Sequence, residues 1–358
     1  MSTRLGHGLV PGRFCPPHAG HHHLVRAAHD RCARVTVLVL GSAADPLPPA
    51  ERLAWMRELH PEALVLGADL AGPGTPAFLA AVEAAVREPV DAVVTSAPYG
   101  DELARRLGAV SVRVDPRHRV HPVSTAAVRA DPAGCWDRLA APVRAALTRR
   151  VVVLGGGSTG TTTLARALTD HYRRRGGVWA RTRCVPDPGP GGGRGRRYED
   201  GAGYEEKAGY GCVPVPGAGP GPRSADFAVL AQDRAEREEE AARAGSPVLV
   251  CDTDALTAAV RHERCLGTAD PGTSAVAARG RHHLWLLTDH RGVPAGDGDA
   301  DGLRAWATAR LLARLTRTGR RTAVLTGPHE ERLATAVAAV DALLAEGAHL
   351  TEPLPERR

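Results

Sequence analysis

The sequence predicts an α/β protein of two domains, each built on a parallel sheet. Its 358 residues correspond to about two domains of ordinary size. The runs Val35–Leu40 and Val151–Leu154 are continuously apolar and rich in β-branched residues, as strands buried on both faces of a parallel sheet are. Such runs alternate with helical segments in both halves of the chain, which is the pattern of βαβ units.

The first predicted domain covers residues 1–148 and contains four strands and five helical segments. The strands are Leu9–Phe14, Val35–Leu40, Ala92–Ser96 and Val110–Val114. The helical segments are His21–His29, Ala50–Leu59, Pro76–Arg87, Glu102–Leu107 and the closing stretch Pro132–Leu147.

The second predicted domain covers residues 149–345, and residues 346–358 are predicted to be a C-terminal tail. Its strands are Val151–Leu154, Val248–Cys251, Leu284–Thr288 and Thr322–Thr326. Its helices are Thr162 to about Arg174, Ser224–Arg243, Leu303–Arg314 and Glu330–Leu344. Glycine and proline dominate residues 186–223, which contain too few apolar residues to offset the entropy of ordering. This stretch is predicted to be a disordered insertion.

Composition narrows the classes of protein that fit. The hydrophobic fraction of 43% and charged fraction of 24% are typical of a soluble globular protein. The net charge of +6 comes from scattered arginines, without the aromatic interleaving of a nucleic-acid binder, so no nucleic-acid partner is expected. No apolar run approaches the ~20 residues of a membrane span. Seven cysteines without a CxxC pair favour reduced thiols, and we expect a cytoplasmic protein.

The first candidate site follows the first predicted strand, in the run that begins at Gly12 and ends at His21. His18, Gly20 and His21 form an HxGH tetrad at the start of a helix, where free N–H groups and the helix dipole attract anions. Imidazoles in this position can donate hydrogen bonds to phosphate oxygens as negative charge develops on them. The alternative is a histidine-rich, metal-binding surface, because His21 is followed by two more histidines.

A second element at residues 123–129 favours the phosphate interpretation. Ser124 begins a predicted helix, and Arg129 lies on its first turns, where both side chains could hold the outer phosphates of ATP. The backbone of Gly12, Arg13 and Phe14 would then line the nucleotide pocket.

These motifs resemble those of the nucleotidylyltransferase superfamily, in which HxGH is followed by an (I/V)SxTxxR element. The context GRFCPPHAGH, the segment 51–59, the Tyr99-Gly100 turn and VSTAAVRADP are similar to the bifunctional nicotinamide-mononucleotide (NMN) adenylyltransferase and ribosylnicotinamide kinase family. The resemblance covers about residues 9–150, with Ala126 where the pattern prefers threonine and Arg13 in place of the common lysine.

The resemblance implies a Rossmann-like nucleotidyltransferase domain that makes NAD and pyrophosphate from NMN and ATP, with Mg²⁺ as cofactor. His18, His21 and Arg129 would be its catalytic residues. The implied ATP-binding residues are Gly12, Arg13, Phe14, Gly20 and Ser124, and the implied NMN-binding residues are Trp55, Arg57 and Tyr99.

The second candidate site has the spacing of a P-loop, GxxxxGK[ST], between a strand and a helix. Gly155, Gly160 and Thr162 match it, but Thr161 occupies the lysine position. That lysine supplies the charge that reaches the β- and γ-phosphates, so its loss predicts a large loss of rate. The rest of this P-loop NTPase-like domain resembles the ribosylnicotinamide kinase half of the family, in which Asp252 and Asp254 would hold the metal.

Several alternatives stay open. The second domain has either lost kinase chemistry or works with a charge from elsewhere, for example Arg166 or an arginine of the insertion. The first domain could adenylylate another acceptor, or the protein could be a nucleotide sensor without turnover. The expected partners are small nucleotides, namely ATP and NMN, together with nicotinamide riboside if the kinase works. Self-association into a homo-oligomer is compatible with the sequence.

Overall fold

The computed structural model describes residues 4–70, 75–187, 224–269, 271–293 and 301–347. The chain divides into two compact units, the first reaching Val143 and the second spanning Arg144–Glu346. Each unit contains one five-stranded parallel sheet, which confirms the predicted α/β class.

The first unit has the strand order β3-β2-β1-β4-β5. Its strands are β1 Leu5–Gly12, β2 Cys32–Gly41, β3 Leu64–Asp69, β4 Ala92–Thr95 and β5 Val110–Arg113. Its helices are α1 Ala19–Arg31, α2 Pro49–Leu59, α3 Thr75–Ala85, α4 Tyr99–Leu107, α5 Thr125–Ala130 and α6 Ala141–Leu147, the last of which crosses the boundary between the units. The buried apolar side chains of β1, β2 and β4 form its core.

The second unit has the strand order β10-β9-β6-β8-β7. Its strands are β6 Arg149–Gly155, β7 Arg183–Val185, β8 Val248–Asp252, β9 Leu284–Thr288 and β10 Thr322–Leu325. Its further helices are α7 Thr161–Arg173, α8 Ser224–Ala244, α9 Ala255–Leu266, α10 Pro271–Arg279, α11 Asp301–Arg317 and α12 His329–Ala345. Two apolar cores cover the two faces of this sheet.

Some local predictions were wrong. The closing segment Pro132–Leu147 is not one helix, because the carboxylate of Asp131 accepts from the Gly134 amide and a 3-10 turn at Trp136–Arg138 interrupts it. The sequence did not predict β3, β7, α9 or α10. The leucines of β3 are apolar like core residues, but their side chains point outward, and Leu64 is 57% exposed.

Two other predicted segments, the insertion and the C-terminal tail, lie almost entirely outside the described residues. Of the predicted insertion, only Pro186 and Asp187 belong to them, and of the predicted tail only residues 346 and 347 do. Among the described residues, Cys265 is disulfide-bonded, contrary to the expectation of reduced thiols, whereas Cys15, Cys32, Cys135, Cys184 and Cys251 are free. Within the described ranges, no helix is both long enough and apolar enough to cross a membrane.

Candidate functional site

A crevice opens in the first unit beyond the carboxyl ends of β1 and β4. These strands are neighbours, yet the chain proceeds from β1 outward to β2 and β3 on one side and from β4 to β5 on the other. Such a reversal of strand order is the point at which open α/β sheets bind ligands. The cavity there measures about 380 Å³ and is lined by Pro11, Gly12, Arg13, Phe14, His21, Leu24, Leu70, Thr75, Phe78, Thr95, Ser96, Ala97 and Tyr99.

The loop between β1 and α1 is held by a buried ionic network. Arg52 of α2 is fully buried, and its guanidinium donates to the backbone carbonyls of Arg13 and Leu40. It also pairs with Asp45 at 2.5 Å, and Asp45 in turn pairs with Arg13. Although burial opposes ionisation, hydrogen bonds from Arg13 and the Ser42 amide hold the pKa of Asp45 below its ordinary value. Arg52 therefore positions the loop that lines the crevice.

His18 and His21 lie together at the beginning of α1. His18 is the N-cap residue, and its ring lies 3.8 Å from that of His21, centroid to centroid. The His18 backbone N–H donates to Nδ1 of His21 at 3.2 Å. Since Nδ1 of His21 accepts this bond, its neutral ring carries the proton on Nε2. His21 lines the crevice, so this Nε2–H is the donor it can offer to an anion there.

Both histidines are neutral near pH 7. Burial, followed by the charges of His118 and His121, lowers the pKa of His18 to about 4. Burial also lowers the pKa of His21 well below its ordinary value, with neighbouring His18 acting in the same direction. Near neutral pH the pair can therefore offer a ligand N–H dipoles but no imidazolium charge.

The second predicted element lies beside the histidines. Thr125, the first residue of α5, has its hydroxyl 3.4 Å from Nε2 of His18. Ser124 is the N-cap of α5, and its hydroxyl accepts from the Ala127 amide at 3.1 Å. Arg129 reaches back to Sγ of Cys15 at 3.6 Å, and its buried Nε has no hydrogen-bond partner among the described residues. Thr125 was missed by the sequence reading, although it stands inside the motif.

The three residues predicted to contact NMN occupy different positions. Tyr99 lines the crevice, donates to the carbonyl of Pro11 at 3.3 Å, and packs on Phe78. Trp55 is buried in α2, and Arg57 donates to the carbonyl of Val65. Neither of these two lines the crevice.

The glycine-rich run of the second unit joins β6 to α7 as the sequence predicts. A Cβ at Gly155 would lie 2.1 Å from Oγ1 of Thr288, so only glycine fits there. Gly160 precedes α7 with φ +83, a conformation that glycine adopts without strain. Thr159 closes the loop by donating to the Gly156 carbonyl at 2.8 Å. The turn therefore has glycine at the two positions where its backbone requires one.

The acidic end of β8 meets this loop through one residue. Thr162 donates to Oδ2 of Asp252 at 2.7 Å, while Oδ1 of Asp252 is buried without a partner among the described residues. Burial raises the pKa of Asp252. A paired hydroxyl and carboxylate with an oxygen to spare is a donor set that suits Mg²⁺ and its water shell. Asp254 differs, because it caps α9 and also accepts from the Trp285 indole at 2.9 Å.

Three arginines near the loop bind backbone carbonyls or a carboxylate. Arg332 is buried and donates to the carbonyls of Thr159, Asp289 and Gly327. Arg304 is buried and donates to two carbonyls of the segment after β9, and Arg291 is paired with Asp289. These guanidinium groups hold the loop region together.

Two parallel sheets, one with a histidine pair at its ligand-binding edge and one with a glycine-rich phosphate loop, define a two-domain nucleotide-binding protein of the α/β class. A family model described as an AAA domain matches residues 150–332, about half of the chain. The chain belongs to that family.

The family resemblance inferred from the sequence is confirmed by curated relatives. The chain is 27% identical to the trifunctional NAD biosynthesis/regulator protein NadR of Salmonella typhimurium and to that of Escherichia coli K12. The match covers 46% of this chain, and the chain spans about half the length of these relatives, 46% in each case.

Solved structures share the fold over the full chain. A NadR protein in complex with NAD and AMP-PNP superposes with a TM-score of 0.65 over 99% of both chains at 18% identity. A NadR protein in complex with NR gives a TM-score of 0.67 over 100% of both chains at 18% identity. At this identity the similarity is one of fold.

Proposed function

We propose that the first unit transfers the adenylyl group of ATP to NMN and releases NAD and pyrophosphate. The observation that carries the proposal is the stacked pair His18 and His21 at the beginning of α1, with His21 lining the crevice between β1 and β4. The names of the curated relatives support a role in NAD metabolism.

The proposed reaction is a direct in-line displacement. An oxygen of the NMN 5′-phosphate attacks the α-phosphorus of ATP, the bond from that phosphorus to the bridging oxygen breaks, and pyrophosphate leaves with the electron pair. Negative charge grows on the phosphate oxygens during attack, and neutral N–H donors that are already oriented stabilise it without reorganisation. Nε2–H of His21 is such a donor, and Arg129 would hold the outer phosphates with a bidentate cation.

Magnesium would enter the first site with the nucleotide. Among the described residues, the crevice lining contains imidazole, guanidinium and hydroxyl groups but no carboxylate. This lining fits an ion carried by the triphosphate and water, which neutralises phosphate charge when bound. In the second unit, Thr162 and Asp252 would hold the ion instead.

For the second unit we propose nucleotide binding with nicotinamide riboside kinase chemistry largely lost. Thr161 carries no charge where the phosphate loop needs a lysine. Among the described residues, Arg332 and Arg304 donate to backbone carbonyls and Arg291 pairs with Asp289. The second candidate, an active kinase, is favoured by the preserved contact between Thr162 and Asp252.

A panel of acceptors tests the first-unit proposal. Purified protein with ATP and Mg²⁺ is given NMN, its deamidated analogue, or a phosphorylated acceptor that is not a pyridine nucleotide. We expect dinucleotide and pyrophosphate in equal amounts from a pyridine mononucleotide. Product only from the unrelated acceptor would move the assignment to another nucleotidyltransferase. Nucleotide binding without product from any acceptor would support the sensor alternative.

A further inference from the structure

A second group of ligating side chains lies in the second unit, separate from the phosphate loop. Glu238 comes from α8, Cys251 from β8, and His282 from the segment just before β9. Their ligating atoms all lie within 4.8 Å of one another. His282 precedes its strand, whereas the phosphate loop follows the carboxyl end of β6. Cys251 directly precedes Asp252 in β8, but its side chain packs in the core on the face of the sheet opposite to α7, which follows the phosphate loop.

We propose that Glu238, Cys251 and His282 form a binding site for a thiophilic divalent cation of the Zn²⁺ class. Thiolate, imidazole and carboxylate are the three side-chain ligands that zinc takes in proteins. A tetrahedral ion at normal bond lengths holds its ligand atoms roughly 3.5 Å apart. Oε2 of Glu238 and Nε2 of His282 are now 2.7 Å apart and would separate by less than about 1 Å, whereas ligating atoms now up to 4.8 Å apart would approach one another by about 1 Å.

The side chains are already aimed at a common point by their neighbours. Arg234 donates to Oε1 of Glu238 at 3.1 Å and leaves Oε2 to His282. The side chains of Glu238 and His282 are 4% and 6% exposed, and Cys251 is fully buried. A Cβ at residue 280 would lie 2.8 Å from Nδ1 of His282, so glycine at that position makes room for the ring. Second-shell contacts of this kind orient metal ligands.

The charges around the group are compatible with a cation. Glu238 and a Cys251 thiolate together neutralise a divalent ion, and the thiol proton leaves to solvent as the metal–sulfur bond forms. Of the arginines that line the adjoining cavity, Arg150 pairs with Glu239 at 2.6 Å, and Arg234 pairs with Glu238 and donates to the Thr253 carbonyl.

A cavity gives the ion a path and a fourth ligand. Glu238 and His282 line a cavity of about 330 Å³, together with Arg150, Gln232 and Arg234. Three protein ligands with an open side resemble a zinc site that keeps a water or a small molecule as its fourth ligand. The ion would also connect α8 to β8 and to the segment before β9, and would thus stabilise the folded second unit.

Cobalt substitution of the full-length protein tests the site. The 16 histidines of the chain make stoichiometry alone uninformative, so the readout is the thiolate-to-cobalt charge-transfer absorption. We expect this band in the wild type and in the control Cys184→Ser, which removes a free thiol of β7. Cys251→Ser should abolish the band. Absence of the band from the wild type, or its persistence in Cys251→Ser, would overturn the proposal.

Thermal unfolding with Zn²⁺ supplies an independent measurement. Zinc should raise the Tm of the wild type and of Cys184→Ser, because a ligand that binds only the folded state stabilises it. Glu238→Gln and His282→Gln should weaken zinc binding at least about tenfold while far-ultraviolet circular dichroism stays that of the wild type. Equal zinc affinity in these two variants would contradict the assignment even if Cys251→Ser failed to fold.

Discussion

The two units follow the same plan, a parallel sheet with a glycine-containing turn between a strand and a helix, but they differ in the polar groups that remain at that turn. In the first unit, the ring of His18 contacts that of His21 and the hydroxyl of Thr125, and Arg129 reaches Cys15 in the loop between β1 and α1. In the second unit, Gly155, Gly160 and the pair Thr162–Asp252 are preserved, while Thr161 leaves the loop without its charge. The loop backbone of the second unit thus has the glycines of a phosphate-binding turn without the lysine that would accelerate phosphoryl transfer.

Removing the histidine donors should have the largest effect. His18→Ala and His21→Ala should each lower kcat for adenylyl transfer about 100- to 1000-fold, as the loss of one oriented oxyanion donor does. Initial rates of NAD formation with saturating ATP and NMN measure this. The matched control is His23→Ala, which removes a histidine of the same helix whose ring contacts His121 and does not line the crevice. Full activity in His21→Ala would remove the assigned role.

Restoring the missing charge should have the next largest effect, and in the opposite direction. Thr161→Lys should raise ATP-dependent phosphorylation of nicotinamide riboside about 100-fold, since a positioned lysine stabilises charge on the transferred phosphoryl group. Thr161→Gln, of similar length without charge, is the control. A wild-type rate equal to that of Thr161→Lys would show that another group already supplies the charge.

Buried neutral histidines should make the first unit acid-sensitive. Burial is the main cause that lowers the pKa of His18 to about 4 and of His22 to about 3, and it also lowers the pKa of His60. In the unfolded chain these groups titrate near their ordinary value of 6.5, so below that pH the unfolded state binds more protons. The free energy of unfolding should therefore fall as the pH drops from 6.5 towards 4, by about 1.4 kcal/mol per pH unit for each such proton.

A variant isolates one of these protons. His22 lies 2.9 Å from His60, ring nitrogen to ring nitrogen, and His22→Gln removes one titrating group from the pair. The pH dependence of unfolding, followed by hydrogen exchange in peptides of β1 and α1, should become shallower by up to one proton. An unchanged slope would show that His22 is not held neutral in the folded state.

Substitutions of the residues predicted to contact NMN should have smaller effects, and these should differ between Tyr99 and Arg57. Tyr99→Phe removes a hydrogen bond to Pro11 and should raise the KM for NMN about fivefold, the equivalent of ~1 kcal/mol. Arg57→Ala should change that KM less than about twofold, because Arg57 binds the carbonyl of Val65 and does not line the crevice. A larger increase in the KM for NMN in Arg57→Ala than in Tyr99→Phe would show that NMN binds beside Arg57 and not beside Tyr99.

The sequence predicted the parts of this molecule that repeat a local pattern. Buried strands such as β2 and β6 are continuous apolar runs, and both candidate sites follow strands whose turns need glycine at fixed positions. It did not predict β3, because an edge strand exposes Leu64 and Leu66 and has no core signature. It assigned no role to Arg52 or Thr125, since their contacts with Arg13 and His18 bridge 39 and 107 residues. Glu238, Cys251 and His282 likewise do not form a recognisable sequence motif, because they come from three separate segments of the chain.

A paired assay tests the difference between the two units most directly. One preparation of the protein receives ATP and Mg²⁺ with NMN in one vessel and with nicotinamide riboside in another, and NAD is measured in both. We expect NAD from NMN and at least about 100-fold less NAD from nicotinamide riboside. Comparable NAD from both substrates would contradict this expectation by showing a working kinase, and NAD from neither would remove the adenylyltransferase assignment itself.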